Sequence, residues 1–87
     1  MTESYQFDGA LLRVARITEG LSPAMLAAEM SLLRGLRKVF TKAQILSWET
    51  GTTRPSANNI GLLATALHRT PNDFYHPWVP FATNGEA

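Results

Sequence analysis

A chain of 87 residues with net charge +1, 45% apolar and 17% charged side chains has the size and balance of one small globular domain, neither disordered nor polyelectrolyte. The absence of cysteine excludes a disulfide framework and a thiolate metal site, and no apolar run reaches the length of a bilayer span. With no signal-peptide pattern either, the expectation is a cytoplasmic protein without a membrane partner.

Residues 1–6 are polar and read as a flexible N-terminus. Asp8 can cap a helix through "GALLRVARITE", with Leu11, Leu12, Ala15 and Val14 on its buried side and Gly20 ending it. Ser22 followed by Pro23 opens a second helix, since proline in the first turn loses no hydrogen bond. Leu26, Ala27 and Met30 recur there at helical spacing. "SLLRGLRKVF", residues 31–40, favours helix, although Ser31 and Gly35 weaken a simple continuation.

Thr41 can cap a further helix, "KAQILSWET", whose inward positions are Ile45 and Trp48; Gly51 supplies the left-handed residue that stops it. Pro55 delays the next helix to Ser56, after which Ile60, Leu63, Ala64 and Leu67 form a core-facing stripe. A short helix at "PNDFY" starts on Pro71. No segment alternates with period two, so the expected fold is all-α: five or six helices in one compact domain, residues 7–76. Residues 77–87 form a proline-containing tail whose Trp78, Val79 and Phe81 either pack back on the domain or meet a partner, such as a second copy.

Charge is unevenly placed along the chain. Arg34, Arg37, Lys38, Lys42 and Arg54 face Glu49 alone between positions 34 and 54, whereas the flanking segments are slightly acidic. The junction "SWETGTTRPS" concentrates the puzzle: helix termination explains its glycine, proline and last serine, but not Trp48, Glu49, Thr52, Thr53 and Arg54.

Taken in order, "RITEGLSPAMLAAEM" and "TKAQILSWETGTTRPSANNIGLLATALHRTPNDFY" resemble the helix-turn-helix domain of the bacteriophage repressor and Cro family, also called the xenobiotic-response-element family. The resemblance runs from about residue 7 to 75. It implies a DNA-binding transcriptional regulator that meets double-stranded operator DNA as a homodimer through a recognition helix at 41–50. It also implies that Arg16 of the first helix pairs with Glu49 as a structural ion pair; two such partly buried charges would be costly apart. Thr52, Thr53 and Arg54 become phosphate contacts, with Asn58 and Ser22 as further ones. Thr41, Lys42, Ala43, Gln44 and Ser47 are the expected base contacts, lysine donating to guanine, glutamine pairing with adenine's edge, and alanine touching a thymine methyl.

The chain departs from the pattern in two places. Trp48 follows Leu26 by 22 positions where the family takes about 14, so roughly eight residues are added near 31–38, between the two helices of the motif. Ala24 also stands where the family has a phosphate-reaching glutamine. Arg34, Arg37 and Lys38 of the insertion are expected to make phosphate contacts in its place; alternatively their stems merely cover Leu32, Leu33 and Leu36. A competing function is an antitoxin or protein-interaction module that holds a protein partner with the insertion and tail. His68 and His76 lack a nucleophile or carboxylate arrangement, so no enzyme, cofactor, metal or small-molecule substrate is expected.

Overall fold

Side-chain caps open each helix where the sequence places them. In the computed structural model, which describes residues 4–78, Asp8 accepts from the Ala10 N–H at 2.9 Å and Ser22 Oγ from Met25 at 3.1 Å. Thr41 Oγ1 accepts from Gln44 at 3.3 Å and Ser56 Oγ from Asn59 at 3.2 Å. Each satisfies a donor that the first turn of a helix cannot pair internally. The helices are α1 (Gly9–Thr18), α2 (Pro23–Leu33), α3 (Lys42–Thr50) and α4 (Ala57–Leu67), followed by a 3-10 turn at Pro71–Phe74. Four α-helices and one 3-10 turn thus make the helical body of the described residues, where five or six helices were expected.

The missing helix is the 31–40 segment. Only residues 31–33 continue α2; Arg34 caps it, and Gly35 and Leu36 follow with φ of 65° and 62°. A left-handed leucine costs about 1–2 kcal/mol because its Cβ crowds the following carbonyl. The chain re-enters the core at Phe40, where Ser31 Oγ donates to the Ala27 carbonyl and accepts from the Phe40 N–H, both at 2.9 Å. Residues 32–39 therefore leave and return at one point. The segment between α2 and α3 is a loop, and a buried hydroxyl holds α2 and the entry to α3 together beneath it.

The chain ends depart further from the all-helical expectation. β1 (Ser4–Phe7) pairs antiparallel with β2 (Tyr75–Trp78), Phe7 opposite Tyr75 and Ser4 opposite Trp78. Nothing in the local pattern announces this ribbon, because its cause is non-local. The Asp8 N–H donates to the Phe74 carbonyl at 2.7 Å, and the Phe7 ring lies 6.3 Å from both Phe74 and Tyr75, edge-on to the latter. Residues 4–6, expected to be flexible, are the outer part of β1. Of the expected tail contacts, Trp78 is the last β2 residue, and Val79 and Phe81 lie outside the described residues.

Leu12, Leu26, Met30, Ile45, Leu63, Leu67 and Phe74 are fully buried at the centre. Val14, expected inward, is exposed, and Leu11 is half-buried. Leu12, Ala15 and Arg16 occupy the i, i+3, i+4 positions that face the core, which turns Val14 to the far side. α1 approaches α3 very closely at its first residue. A methyl built on Gly9 would lie 2.3 Å from the Trp48 carbonyl oxygen and 2.4 Å from that of Glu49, so only glycine admits this contact.

Candidate nucleic-acid interface

The end of α3 is anchored through a buried ion pair. Arg16 Nε and Nη2 both donate to the Glu49 carboxylate, Nη2 at 3.0 Å, and Nη1 donates to the Leu21 carbonyl at 2.9 Å. The two side chains are 10% and 4% exposed. A bidentate arginine–carboxylate pair fixes orientation as well as distance, so α1, the α1–α2 turn and α3 are locked together at this point. The hydrogen bond to Glu49 raises the Arg16 pKa; burial opposes that shift and the carboxylate's charge reinforces it. On α3's inner face, Trp48 meets Phe40 edge-on at 6.3 Å.

The pair also changes the local electrostatics. Between Ser31 and Asn72, Glu49 is the one acidic residue in the sequence, and its charge is spent on Arg16. Arg37, Lys38, Lys42 and Arg54 are exposed and Arg34 is half-exposed. The basic balance read from sequence therefore understates what solvent sees on this part of the surface.

The expected base contacts differ in their freedom. Lys42 and Ala43 are exposed at the start of α3. Thr41 and Gln44 are tied to each other in a capping box: the Thr41 N–H donates to Gln44 Oε1 at 2.9 Å while Thr41 Oγ1 accepts from the Gln44 N–H. Gln44 is half-buried, and with Oε1 engaged it keeps its amide N–H groups to offer; the two-point pairing with adenine needs that oxygen. Ser47 is also half-buried, bonding Thr53 Oγ1 at 2.9 Å.

The hydroxyls at the end of α3 and in the turn after it form a connected set. Thr50 Oγ1 donates to the Leu46 carbonyl and lies 3.1 Å from Thr52 Oγ1, and the Thr52 and Thr53 N–H groups both donate to the Ser47 carbonyl. The turn carrying Thr52, Thr53 and Arg54 is exposed and braced against α3, with Asn58 exposed in the first turn of α4. Ser22, exposed at the start of α2, has its oxygen engaged as a cap.

Leu46 is the residue that the sequence reading omitted. It is 38% exposed and lies three and four positions beyond Ala43 and Lys42, on the same outward face. Its helical phase relative to Ile45 and Trp48 was the available signal. Apolar character drew attention inward, yet an exposed leucine here suits a thymine methyl as alanine does. Among the described residues, no helix is long and apolar enough to cross a membrane, and no three potential metal-ligating side chains gather.

No family model and no curated protein matches the chain. Among solved structures, the fold is similar to that of the P22 c2 repressor protein in complex with synthetic operator 9T, with a TM-score of 0.64 and 24% sequence identity over 77% of this chain and 89% of the repressor chain. The helical body thus shares the fold of that repressor chain, and residues 34–41 join α2 to α3.

Proposed function

We propose that the protein is a sequence-specific DNA-binding regulator of transcription, phage repressor-like or Cro-like in action, which meets operator DNA as a homodimer through α3. The observation that carries this is the exposed Lys42, Ala43 and Leu46 face of α3, with Arg34, Arg37, Lys38 and Arg54 in the segments that flank α3 in sequence and the Glu49 carboxylate withdrawn into the Arg16 pair. A surface with free donors and apolar tips along one helix, flanked by cations and threonine hydroxyls, matches a major groove and its phosphates. The structural neighbour's operator complex supports the same use of the fold.

In this reading Lys42, Ala43 and Leu46 read bases, with Thr41, Gln44 and Ser47 contributing the donors their caps leave free. Thr52, Thr53, Arg54, Asn58, Ser22 and the loop cations hold the backbone. One domain of this size makes limited contact, so two copies on half-sites about one helical turn apart give the affinity.

The test is a fluorescence titration of duplexes from upstream of the protein's own gene, at two salt concentrations, against an unrelated duplex of equal length. A preference of about 10³-fold or more with a steep salt slope supports the reading. Salt-sensitive binding that ignores sequence refutes it.

A further inference from the structure

The inserted loop leaves apolar side chains in water that the DNA reading does not use. Leu32, Leu36 and Val39 are 62%, 62% and 68% exposed, and the cation stems do not cover them. With Ala24 and Ala28 of α2 and the edge of Phe40 they line an open groove of about 510 Å³. The alanines, one turn apart, make a shallow floor that lets another backbone approach, and the loop forms the opposite wall. Exposed apolar surface gathered in this way marks an interaction site more often than an accident of folding. Leu36 adds a second sign: it holds a left-handed conformation while its side chain packs on little in the free chain.

We propose that this groove docks an amphipathic helix of a protein partner, apolar on the inserted face and acidic along its flanks, and that its occupancy excludes DNA. Charge complementarity chooses this occupant. Lys42 lines the groove, Lys38 holds its ammonium 5.7 Å from the Phe40 ring centroid, and Arg34 and Arg37 alternate in sequence with the lining leucines. No carboxylate interrupts positions 30–48. A duplex would satisfy the cations but leave the apolar floor wet, whereas an acidic amphipathic helix satisfies both. The Ser31–Phe40 hydrogen bond keeps the groove formed without the partner, so little ordering cost falls on binding. Exclusion follows because Lys42 belongs to both the groove and the exposed start of α3; that clause alone rests on the DNA-binding reading.

The full chain, labelled with ¹⁵N, is titrated with a synthetic helix of about 18 residues carrying leucines at i, i+3, i+4, i+7 spacing and glutamates on the flanks, and with a twin bearing lysines for glutamates. The expected result is shifts centred on Ala24, Ala28, Leu32, Leu36 and Val39, binding about tenfold or more tighter for the acidic peptide, and release of the peptide by duplex. Leu36→Asn, which suits a left-handed position, adds no charge beside the loop cations and leaves the melt unchanged, weakens peptide binding about tenfold or more while leaving DNA affinity within about twofold.

Absence of shifts up to about 1 mM peptide, or equal binding of the twins, overturns the proposal. So do groove shifts that grow with protein concentration alone, which make a second copy the occupant, or an equal loss of DNA and peptide binding in Leu36→Asn, which makes it DNA. Simultaneous binding of duplex and peptide overturns the exclusion. Acidic peptide binding in a chain that treats all duplexes alike supports the docking site and refutes the regulator.

Discussion

Ser31→Ala probes the hydroxyl that ties the last turn of α2 to the entry of α3. The hydroxyl is buried, and its removal leaves the Phe40 N–H without its acceptor beside a side chain that is itself buried. An unpaired buried donor costs about 1–3 kcal/mol. The Ala27 carbonyl also loses the hydroxyl but keeps its place in the α2 ladder, so that loss is small. Alanine returns roughly 0.5 kcal/mol through helix propensity. The expected net loss is about 1.5 kcal/mol, equivalent to a fall in melting temperature of roughly 6–12 °C for a domain of this size.

Thermal denaturation followed by circular dichroism measures that loss, and amide exchange at Phe40 locates it. Exchange there should accelerate by about tenfold or more, since 1.4 kcal/mol is one decade in an opening equilibrium. A melting temperature within about 2 °C of the parent, together with unchanged Phe40 exchange, would falsify the claim that this hydroxyl closes the loop.

Replacing residues 33–38 by Gly-Gly should leave the fold intact or raise its stability by a few tenths of a kcal/mol to about 1 kcal/mol, because a shorter loop closes more cheaply and the Leu36 strain is removed; a loss above about 2 kcal/mol in urea denaturation counts against the excursion. Gly9→Ala must displace the backbone at Trp48 and Glu49, so it should cost about 1–3 kcal/mol or more and weaken DNA binding with it; an unperturbed melt would refute the close approach. Glu49→Gln strands a buried guanidinium and should cost about 3–5 kcal/mol. Because the Arg16 pKa is raised, its contribution is fully present below the ordinary arginine value and lost only above it, so the stability gap between parent and Glu49→Gln should stay level from pH 7 to about 10; a gap that halves across that window refutes the assignment. Arg34, Arg37 and Lys38 changed together to alanine should flatten the salt dependence of DNA binding by about two to three units of slope, and an unaltered slope removes them from the phosphate contacts.

Much of the helical body was legible in the residue order, because its signals are local. Asp8, Ser22, Thr41 and Ser56 are caps that act within one turn, Gly51 ends α3 with a φ of 81°, and the α4 stripe is a matter of spacing alone. The Arg16–Glu49 pair was legible only through resemblance, since its partners lie 33 positions apart. The candidate interface was legible in part. Lys42 and Ala43 are exposed, but periodicity could not reveal that Thr41 and Gln44 hold one another, or that Leu46 faces outward among polar neighbours.

What local chemistry left open was every contact between distant segments. Residues 31–40 carry enough apolar character for a helix; they form a loop because Ser31 and Phe40 find each other across nine positions, and that bond outweighs the modest helical preference of the residues between. The ribbon of β1 and β2 likewise exists because packing brings Phe7 onto Phe74, joining two chain ends with no strand pattern of their own. Propensity acts over a turn or two, whereas burial rewards whichever groups the finished core happens to place together.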